Sequence, residues 1–329
     1  MQAIQIQRFG PPEVLELVEL PDQMPGANEV LLAVEAAGVN RADVLVRTGR
    51  YHRAGQPPLI LGVEGAGTVL AVGAEVDDFA VGQRVVAMGE TNRPGFYADR
   101  AVVPAARVIT VPDSVDLHSA AALPTSWLSA WYCLRRLANI QPGEFILIHA
   151  AASGVGSAAV RIAVDAGATV IATAGSPEKA QWVRDLGARD VLDSSTLHGD
   201  ALVEEVKNLT DGKGVNAVLD IVGGSVFADS LRVIGDGGRV VAMANVALAP
   251  STVDTRDFYP KNGRIYGFQI TALIEHGYDP RPDLDELLAA VAGHRFTVDI
   301  DATFPLADAA AAHRHVEQRA NRGKVLLTI

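Results

Sequence analysis

The fold of this chain is decided by residues 145–156, which read FILIHAAASGVG. A mostly apolar run of five residues leads into three alanines and then into a Ser-Gly-Val-Gly sequence. An apolar run of this length, followed at once by small residues, predicts a buried strand that turns sharply into a helix. Gly156 stands where that helix would pack closely on the strand, so the stretch predicts a tight strand–turn–helix unit.

Strand and helix patterns alternate on both sides of this turn. Predicted strands cover residues 145–149, 169–174, 190–192, 215–222, 239–244 and 264–270. Predicted helices cover residues 119–137, 155–166, 177–186, 201–209 and 226–234. Strands that are apolar nearly throughout and alternate with helices indicate βαβ units, with helices covering both faces of a parallel sheet.

The two ends of the chain follow other patterns. Short alternating or apolar runs in the first third predict β structure, with residues 3–9 paired to 15–20; other runs are 30–36, 67–72 and 84–88. Near the other end, helices are predicted at 284–292 and 307–317 and a closing strand at 325–329. We therefore expect one domain from residues 1–118 and 271–329, and a second domain from residues 119–270.

Composition excludes several classes of protein. The 329 residues are too many for one ordinary core, and their net charge of -11 argues against a nucleic-acid or anionic-membrane partner. The sequence contains no apolar run of about 18 residues, so it predicts no membrane span. The single cysteine, Cys133, cannot form an internal disulfide, and the first residues alternate like a strand without a secretory pattern. We expect a cytoplasmic protein.

The turn at residues 150–156 has the features of a dinucleotide-binding site. A helix N-terminus offers free N–H groups and the positive end of the helix dipole to phosphate. Ser153, Gly154, Val155 and Gly156 would form this site, with the Ser153 hydroxyl as an additional donor. The alternative is a purely structural turn that binds no ligand.

The next strand end, residues 174–179 (AGSPEK), bears on which dinucleotide binds. Enzymes that use NAD place an acidic residue there for the ribose hydroxyl, and none ends this strand. Ser176 is a good helix cap, Pro177 suits the first helical position, and Lys179 adds a cation. The segment favours NADPH, although Glu178 could face the ribose instead. The alternative is a capped helix with a solvated Lys179.

Two further stretches resemble a known superfamily. Residues 37–43 (AGVNRAD) and 62–67 (GVEGAG) resemble the catalytic core of the medium-chain alcohol dehydrogenases. In the zinc enzymes of that superfamily a Cys stands at the place of Asn40 and a His at the place of Val63. Residues 40–51 match the N-x-x-D-x-x-x-R-x-G-x-Y pattern of its zinc-free NADPH:quinone oxidoreductase branch, the zeta-crystallin-like proteins. One cysteine also excludes a four-Cys structural zinc site.

This resemblance implies an α/β fold with a GroES-like β domain and a doubly wound (Rossmann) nucleotide-binding domain. It implies an active cleft between the domains, no metal, and a homodimer that pairs through the edge strand 264–270. It also implies cofactor contacts from residues that local pattern does not single out: Ser129, Ser194, Asn245, Phe268, Gln269 and Arg319. Arg319 can equally be read as a solvated residue at a helix end.

The signature residues suggest the substrate side. The Asn40 amide can hydrogen-bond a substrate carbonyl or the nicotinamide, and the Tyr51 phenol can donate to a quinone oxygen, unless Tyr51 is an ordinary half-buried residue. Asp43 and Arg47 stand four residues apart and are predicted to pair on one helix face. Glu64 keeps its family place, and we expect it to be structural.

The resulting expectation is an NADPH-dependent quinone oxidoreductase that transfers hydride without a metal. A site with Asn and Tyr but no metal suits quinones and activated alkenes, and it suits simple alcohols poorly. The alternative is an NADPH-dependent alkene reductase acting on enones or enoyl thioesters. A third reading is an NADPH-binding protein with little turnover.

Overall fold

The computed structural model describes all residues, 1–329. The strands are β1 Gln2–Ile6, β2 Glu16–Glu19, β3 Glu29–Val39, β4 Leu59–Ile60, β5 Glu64–Val72, β6 Arg84–Met88, β7 Arg100–Pro104, β8 Val108–Thr110, β9 Phe145–Ile148, β10 Thr169–Ala174, β11 Asp190–Asp193, β12 Val215–Asp220, β13 Ile234–Ala242, β14 Arg264–Gly267, β15 Ile300–Pro305 and β16 Lys324–Thr328. The α-helices are α1 Arg41–Arg47, α2 Leu117–Ala121, α3 Leu128–Trp131, α4 Gly154–Asp165, α5 Pro177–Asp185, α6 Asp200–Leu209, α7 Ser225–Val233, α8 Ile270–Glu275, α9 Arg281–Ala292 and α10 Ala309–Glu317.

The chain divides into two compact units, which we call the β unit and the nucleotide unit. The β unit contains residues 1–128 and 278–329, and the nucleotide unit contains residues 129–277. Helix α2 contacts β3, β5 and β6, so it belongs to the β unit, whereas the sequence pattern begins the second domain at residue 119.

The β unit is built from two sheets. A seven-stranded sheet runs in the order β15-β16-β3-β5-β6-β8, with β7 also paired to β3, and a three-stranded sheet runs β2-β1-β4. The antiparallel pairing of β1 with β2 confirms the predicted pairing of residues 3–9 with 15–20. The end of the chain returns to this unit, because β16 pairs antiparallel with β3, with Val325 opposite Val39. Lys324 therefore begins its strand beside the end of β3.

The nucleotide unit contains the predicted parallel sheet. Its six strands are all parallel and run in the order β11-β10-β9-β12-β13-β14. The chain starts in the middle at β9, moves outward to β11, and then returns to fill the other side from β12 to β14. This is the doubly wound order, and ligands of such sheets bind at the carboxyl ends of the strands where the order reverses, here beside β9.

Two predicted elements are corrected. The predicted strand 264–270 ends at Gly267, because the Gln269 side chain accepts a hydrogen bond from the Ala272 N–H and caps α8. The predicted helix 119–137 is not continuous. Two π-helical segments, Leu123–Trp127 and Tyr132–Leu137, flank α3, and Pro124 has no N–H with which to continue α2. None of the helices has the length and apolar character needed to cross a membrane.

Candidate active site

The dinucleotide turn has the geometry that its sequence predicts. Ser153 is the N-cap of α4, and its Oγ accepts a hydrogen bond from the Gly156 N–H at 3.1 Å. The hydroxyl hydrogen of Ser153 is still available to a phosphate oxygen. A Cβ on Gly156 would lie 2.4 Å from the Ala150 carbonyl oxygen, so only glycine lets the helix pack this closely. The turn therefore fits a dinucleotide phosphate at the N-terminus of α4.

The ends of β10 and β11 bring the predicted 2′-phosphate residues together. Ser176 caps α5, and its Oγ accepts from the Lys179 N–H at 3.3 Å. A Cβ on Gly175 would lie 3.6 Å from the Ser194 Oγ, and the Ser194 N–H donates to the Ala174 carbonyl. Two hydroxyls thus lie beside one exposed glycine, and the half-buried Lys179 follows in the first turn of α5.

Glu178 adds a carboxylate to the same place. Hydrogen bonds from its own backbone N–H and from the Ser176 hydroxyl lower the pKa of Glu178, so this side chain is ionised at neutral pH. A carboxylate that occupies the Ser176 hydroxyl competes with a phosphate for the same donor. The serine and the lysine favour a 2′-phosphate, and Glu178 opposes one.

The other predicted cofactor residues of this unit have different environments. Ser129 is buried in α3, and Phe268 is buried with its ring centroid 5.6 Å from that of Tyr132. Asn245 is exposed after β13, beside Gly223, and its Nδ2 donates to the Ala249 carbonyl at 2.7 Å. The Gln269 amide oxygen is used in capping α8.

Asn40 lies in a buried polar network of the β unit. Its exposed fraction is 8%, and its Nδ2 donates to Glu64 Oε1 at 2.7 Å. Its Oδ1 accepts from the Lys324 ammonium at 2.5 Å. The Asn40 Nδ2 also donates to the Gly38 carbonyl oxygen, but over a long distance of 3.5 Å. The Asn40 amide is therefore held between a carboxylate and an ammonium.

Lys324 and Glu64 form the centre of this network. The exposed fractions of their side chains are 4% and 0%, and the Lys324 Nζ donates to Glu64 Oε1 and to Ser126 Oγ as well as to Asn40. The second oxygen of Glu64 accepts from the Thr125 N–H at 2.7 Å. Both carboxylate oxygens of Glu64 are therefore hydrogen-bonded, one to Lys324 and Asn40 and the other to the Thr125 N–H. Sequence reasoning missed Lys324, although a lysine at the start of the apolar strand KVLLT signals a buried charge that needs a partner.

The predicted pairing of Asp43 with Arg47 is wrong. Arg47 is buried and its Nη2 binds Glu317 Oε1 at 2.5 Å. Asp43 instead accepts hydrogen bonds from the backbone N–H groups of Asn40, at 2.8 Å, and Gly62, at 3.3 Å. Burial raises the pKa of Asp43 to about 7, against the opposing effects of the Asn40 N–H and the Lys324 charge.

Two further predicted residues lie in the β unit. Tyr51 is half-buried, with its ring centroid 5.1 Å from that of His52. Arg319 adopts a left-handed conformation, with φ of 54°, just after α10. Burial lowers the pKa of Arg41, and the positive charges of Arg319 and Arg47 act in the same direction, while the carboxylate of Glu317 opposes them.

The residues of the chain do not form a metal-binding cluster. No group of three or more His, Cys, Asp or Glu side chains in residues 1–329 is arranged to hold a metal ion. His313 instead contacts the Tyr97 hydroxyl at 3.1 Å, and burial lowers its pKa to about 3.

Two protein-family models match this chain, each over a different range of residues. Residues 26–113 match the model of the alcohol dehydrogenase GroES-like domain, and residues 154–292 match that of the zinc-binding dehydrogenases. A quinone oxidoreductase of Pseudomonas aeruginosa is 35% identical, over 98% of both chains. A 2-haloacrylate reductase of Burkholderia sp is 33% identical, over 99% of this chain and 98% of the relative.

A solved structure of similar fold contains a cofactor. The Escherichia coli quinone oxidoreductase complexed with NADPH matches with a TM-score of 0.92 and 31% identity, over 100% of both chains. The family model matched by residues 154–292 is named for zinc-binding dehydrogenases. The full-length matches show that the chain belongs to the quinone oxidoreductase branch of the medium-chain dehydrogenase/reductase superfamily.

Proposed function

We propose that this chain is an NADPH-dependent quinone oxidoreductase that works without a metal. The observation that carries the proposal is the Asn40 amide, held by Lys324 and Glu64 at the place of a metal ligand. A quinone accepts hydride readily, and its developing oxyanion needs only one or two hydrogen-bond donors. Bound NADPH supplies the hydride, and the protein orients the acceptor and excludes water.

The residues divide this work between them. Residues 153–156 would bind the pyrophosphate, and Ser176, Lys179 and Ser194 would receive the 2′-phosphate. The predicted nicotinamide contacts are Ser129, Asn245, Phe268 and Gln269. In the β unit, Asn40 and Tyr51 would donate to the acceptor oxygen, and the guanidinium group of Arg319 would supply positive charge for a cofactor anion.

The second candidate is an NADPH-dependent reductase of activated alkenes. The relative named as a 2-haloacrylate reductase supports it, because an acrylate is an activated alkene. Both reactions use the same cofactor and differ in the acceptor. A non-catalytic NADPH-binding protein is a weaker third candidate.

The deciding experiment measures oxidation of NADPH and NADH by the purified protein with several acceptors. 1,4-Benzoquinone, 9,10-phenanthrenequinone and 2-cyclohexenone cover the two reaction classes. Faster NADPH oxidation with the quinones is the expected result. Turnover with the enone alone would replace the first candidate by the second. Tight NADPH binding without turnover would favour the third.

We also propose that the protein forms a homodimer through β14 and works in the cytoplasm. Strand β14 is an edge of the six-stranded sheet, and Ile265 on it and Tyr259 before it are exposed, by 39% and 64%. An unpaired edge with exposed apolar side chains is suited to pairing with a second copy. Light scattering on wild-type protein and on I265K tests the dimer, which the lysine should dissociate. The predicted location rests on the single cysteine.

A further inference from the structure

We propose that Lys324 is a positioning residue, which orients the Asn40 amide so that it presents an N–H donor to the hydride acceptor. The use of that donor by an acceptor rests on the proposed function. The orientation itself does not, because it follows from contacts within the β unit. Nothing in the local sequence around Asn40 indicates this role, since Lys324 is 284 residues away.

The ammonium of Lys324 is surrounded by oxygen acceptors. Its partners are Asn40 Oδ1, Glu64 Oε1 and Ser126 Oγ, the last at 3.3 Å. Its three hydrogens can therefore all be used, which is the condition under which a lysine is kept charged inside a protein. The backbone fixes this arrangement, because β16 is in register with β3 immediately before Asn40.

The two charges determine which way the Asn40 amide faces. An amide has nearly the same shape when it is rotated by half a turn, so packing alone does not choose between the orientations. An ammonium can only donate and a carboxylate can only accept. The amide oxygen therefore faces Lys324 and the nitrogen faces Glu64. The reversed amide would place N–H against ammonium and oxygen against carboxylate in a water-poor site, where such contacts are costly.

This orientation leaves one donor weakly engaged. One hydrogen of the Asn40 Nδ2 is bound by Glu64 at 2.7 Å. Its other contact, the Gly38 carbonyl at 3.5 Å, is at the outer limit of a hydrogen bond. That hydrogen can turn to a ligand oxygen, and a donor stabilises the negative charge that develops on a quinone oxygen during reduction. A reversed Asn40 would offer an oxygen and would repel that charge.

The matched variant removes both charges together. Lys324→Met alone leaves a buried carboxylate without its cation, so loss of folding would obscure its effect. The double variant Glu64→Gln, Lys324→Met replaces the ion pair by neutral side chains of similar size. Glutamine both donates and accepts, so it no longer selects an orientation of Asn40. Lys324→Arg keeps the cation and serves as the conservative variant.

Whether the two charges hold the Asn40 amide is measured without turnover, by NMR of the full chain with nitrogen-15 in its asparagines. The Asn40 side-chain amide is assigned by its loss in Asn40→Ser, and the exposed Asn208 is the reference. We expect Asn40 amide hydrogens to exchange with water about tenfold more slowly than those of Asn208, as hydrogen-bonded buried groups do. The double variant should lose that protection. Unchanged protection in the double variant would overturn the proposal.

Kinetics then separate positioning from a structural ion pair. In the double variant we expect the Kd for NADPH to be unchanged and kcat with 1,4-benzoquinone to fall severalfold. The fall should be smaller than the roughly 100-fold that complete loss of an oxyanion donor costs, because an unselected amide still presents its N–H part of the time. The single variant Lys324→Arg, which keeps the cation, should retain most of the wild-type kcat. A double variant as active as wild type would show that the ion pair does not position Asn40 for the reaction. Failure of the proposed function is distinguishable, since wild type would then lack turnover while the NMR result stands.

Discussion

The nucleotide turn and the Asn40 network are two polar sites built in opposite ways. The turn consists of adjacent residues, with Ser153 bound to the N–H of Gly156 three positions later. The network joins residues that are far apart in the sequence, since Glu64 and its partner Lys324 are separated by 260 positions. The first depends on backbone shape and the second on buried charge. Substitutions in the turn should therefore act through close packing, and substitutions in the network through electrostatics.

The largest effect is expected from breaking the network at its cation. Lys324→Met leaves the Glu64 carboxylate fully buried without a countercharge. The free energy of unfolding should fall by about 3–5 kcal/mol, the usual result of removing one partner of a buried pair. Urea unfolding followed by circular dichroism measures it. The double variant with Glu64→Gln should recover most of the loss, and an equally unstable double variant would contradict this explanation.

Asp43 gives the network a pH dependence that the turn lacks. Its pKa is raised from 3.8 to about 7, so the folded state binds a proton that the unfolded state has released between these values. The free energy of unfolding should therefore fall as the pH rises through this range, by about 1.4 kcal/mol per unit at most. The comparison is with Asp43→Asn, which cannot ionise. The difference between wild type and the variant should change with pH up to about 7 and then level off. Parallel pH profiles would show that Asp43 titrates normally.

The turn is tested by adding one methyl group. In Gly156→Ala the new Cβ would lie 2.4 Å from the Ala150 oxygen and 2.6 Å from the Ala151 Cα, both backbone atoms. The backbone must move, and overpacking of this kind costs about 1–3 kcal/mol. Because the displaced atoms form the proposed pyrophosphate site, the Kd for NADPH should also rise. Gly267→Ala is the control, since a Cβ there meets nothing within 4 Å. Equal effects of both substitutions would refute the packing argument.

The same contrast explains what the sequence could predict. The cap at Ser153, the tight helix at Gly156 and the parallel sheet follow from neighbouring residues, and the structure confirms the sheet and the turn. Partners of buried charges depend on register between distant strands, which no local pattern contains. This is why the helical spacing of Asp43 and Arg47 suggested a pair, while Arg47 binds Glu317, 270 residues away. The predicted end of β14 is wrong because apolar Ile270 continues the strand pattern, whereas the cap formed by Gln269 is visible only in the structure.

The smallest effect concerns Glu178, where charge rather than packing would act in the nucleotide unit. The Ser176 hydroxyl donates a hydrogen bond to the ionised Glu178 carboxylate, so this carboxylate competes with a 2′-phosphate for that donor. Glu178→Gln should therefore raise the preference for NADPH over NADH by about two- to threefold, a small effect because solvent screens exposed charges. Binding titrations with both cofactors measure the preference, and Glu204→Gln, an exposed residue of α6, controls for the change in net charge. The gain should shrink at high salt. A preference that shifts equally in both variants would mean that Glu178 acts through overall charge and that its contact with Ser176 has no part in selecting the cofactor.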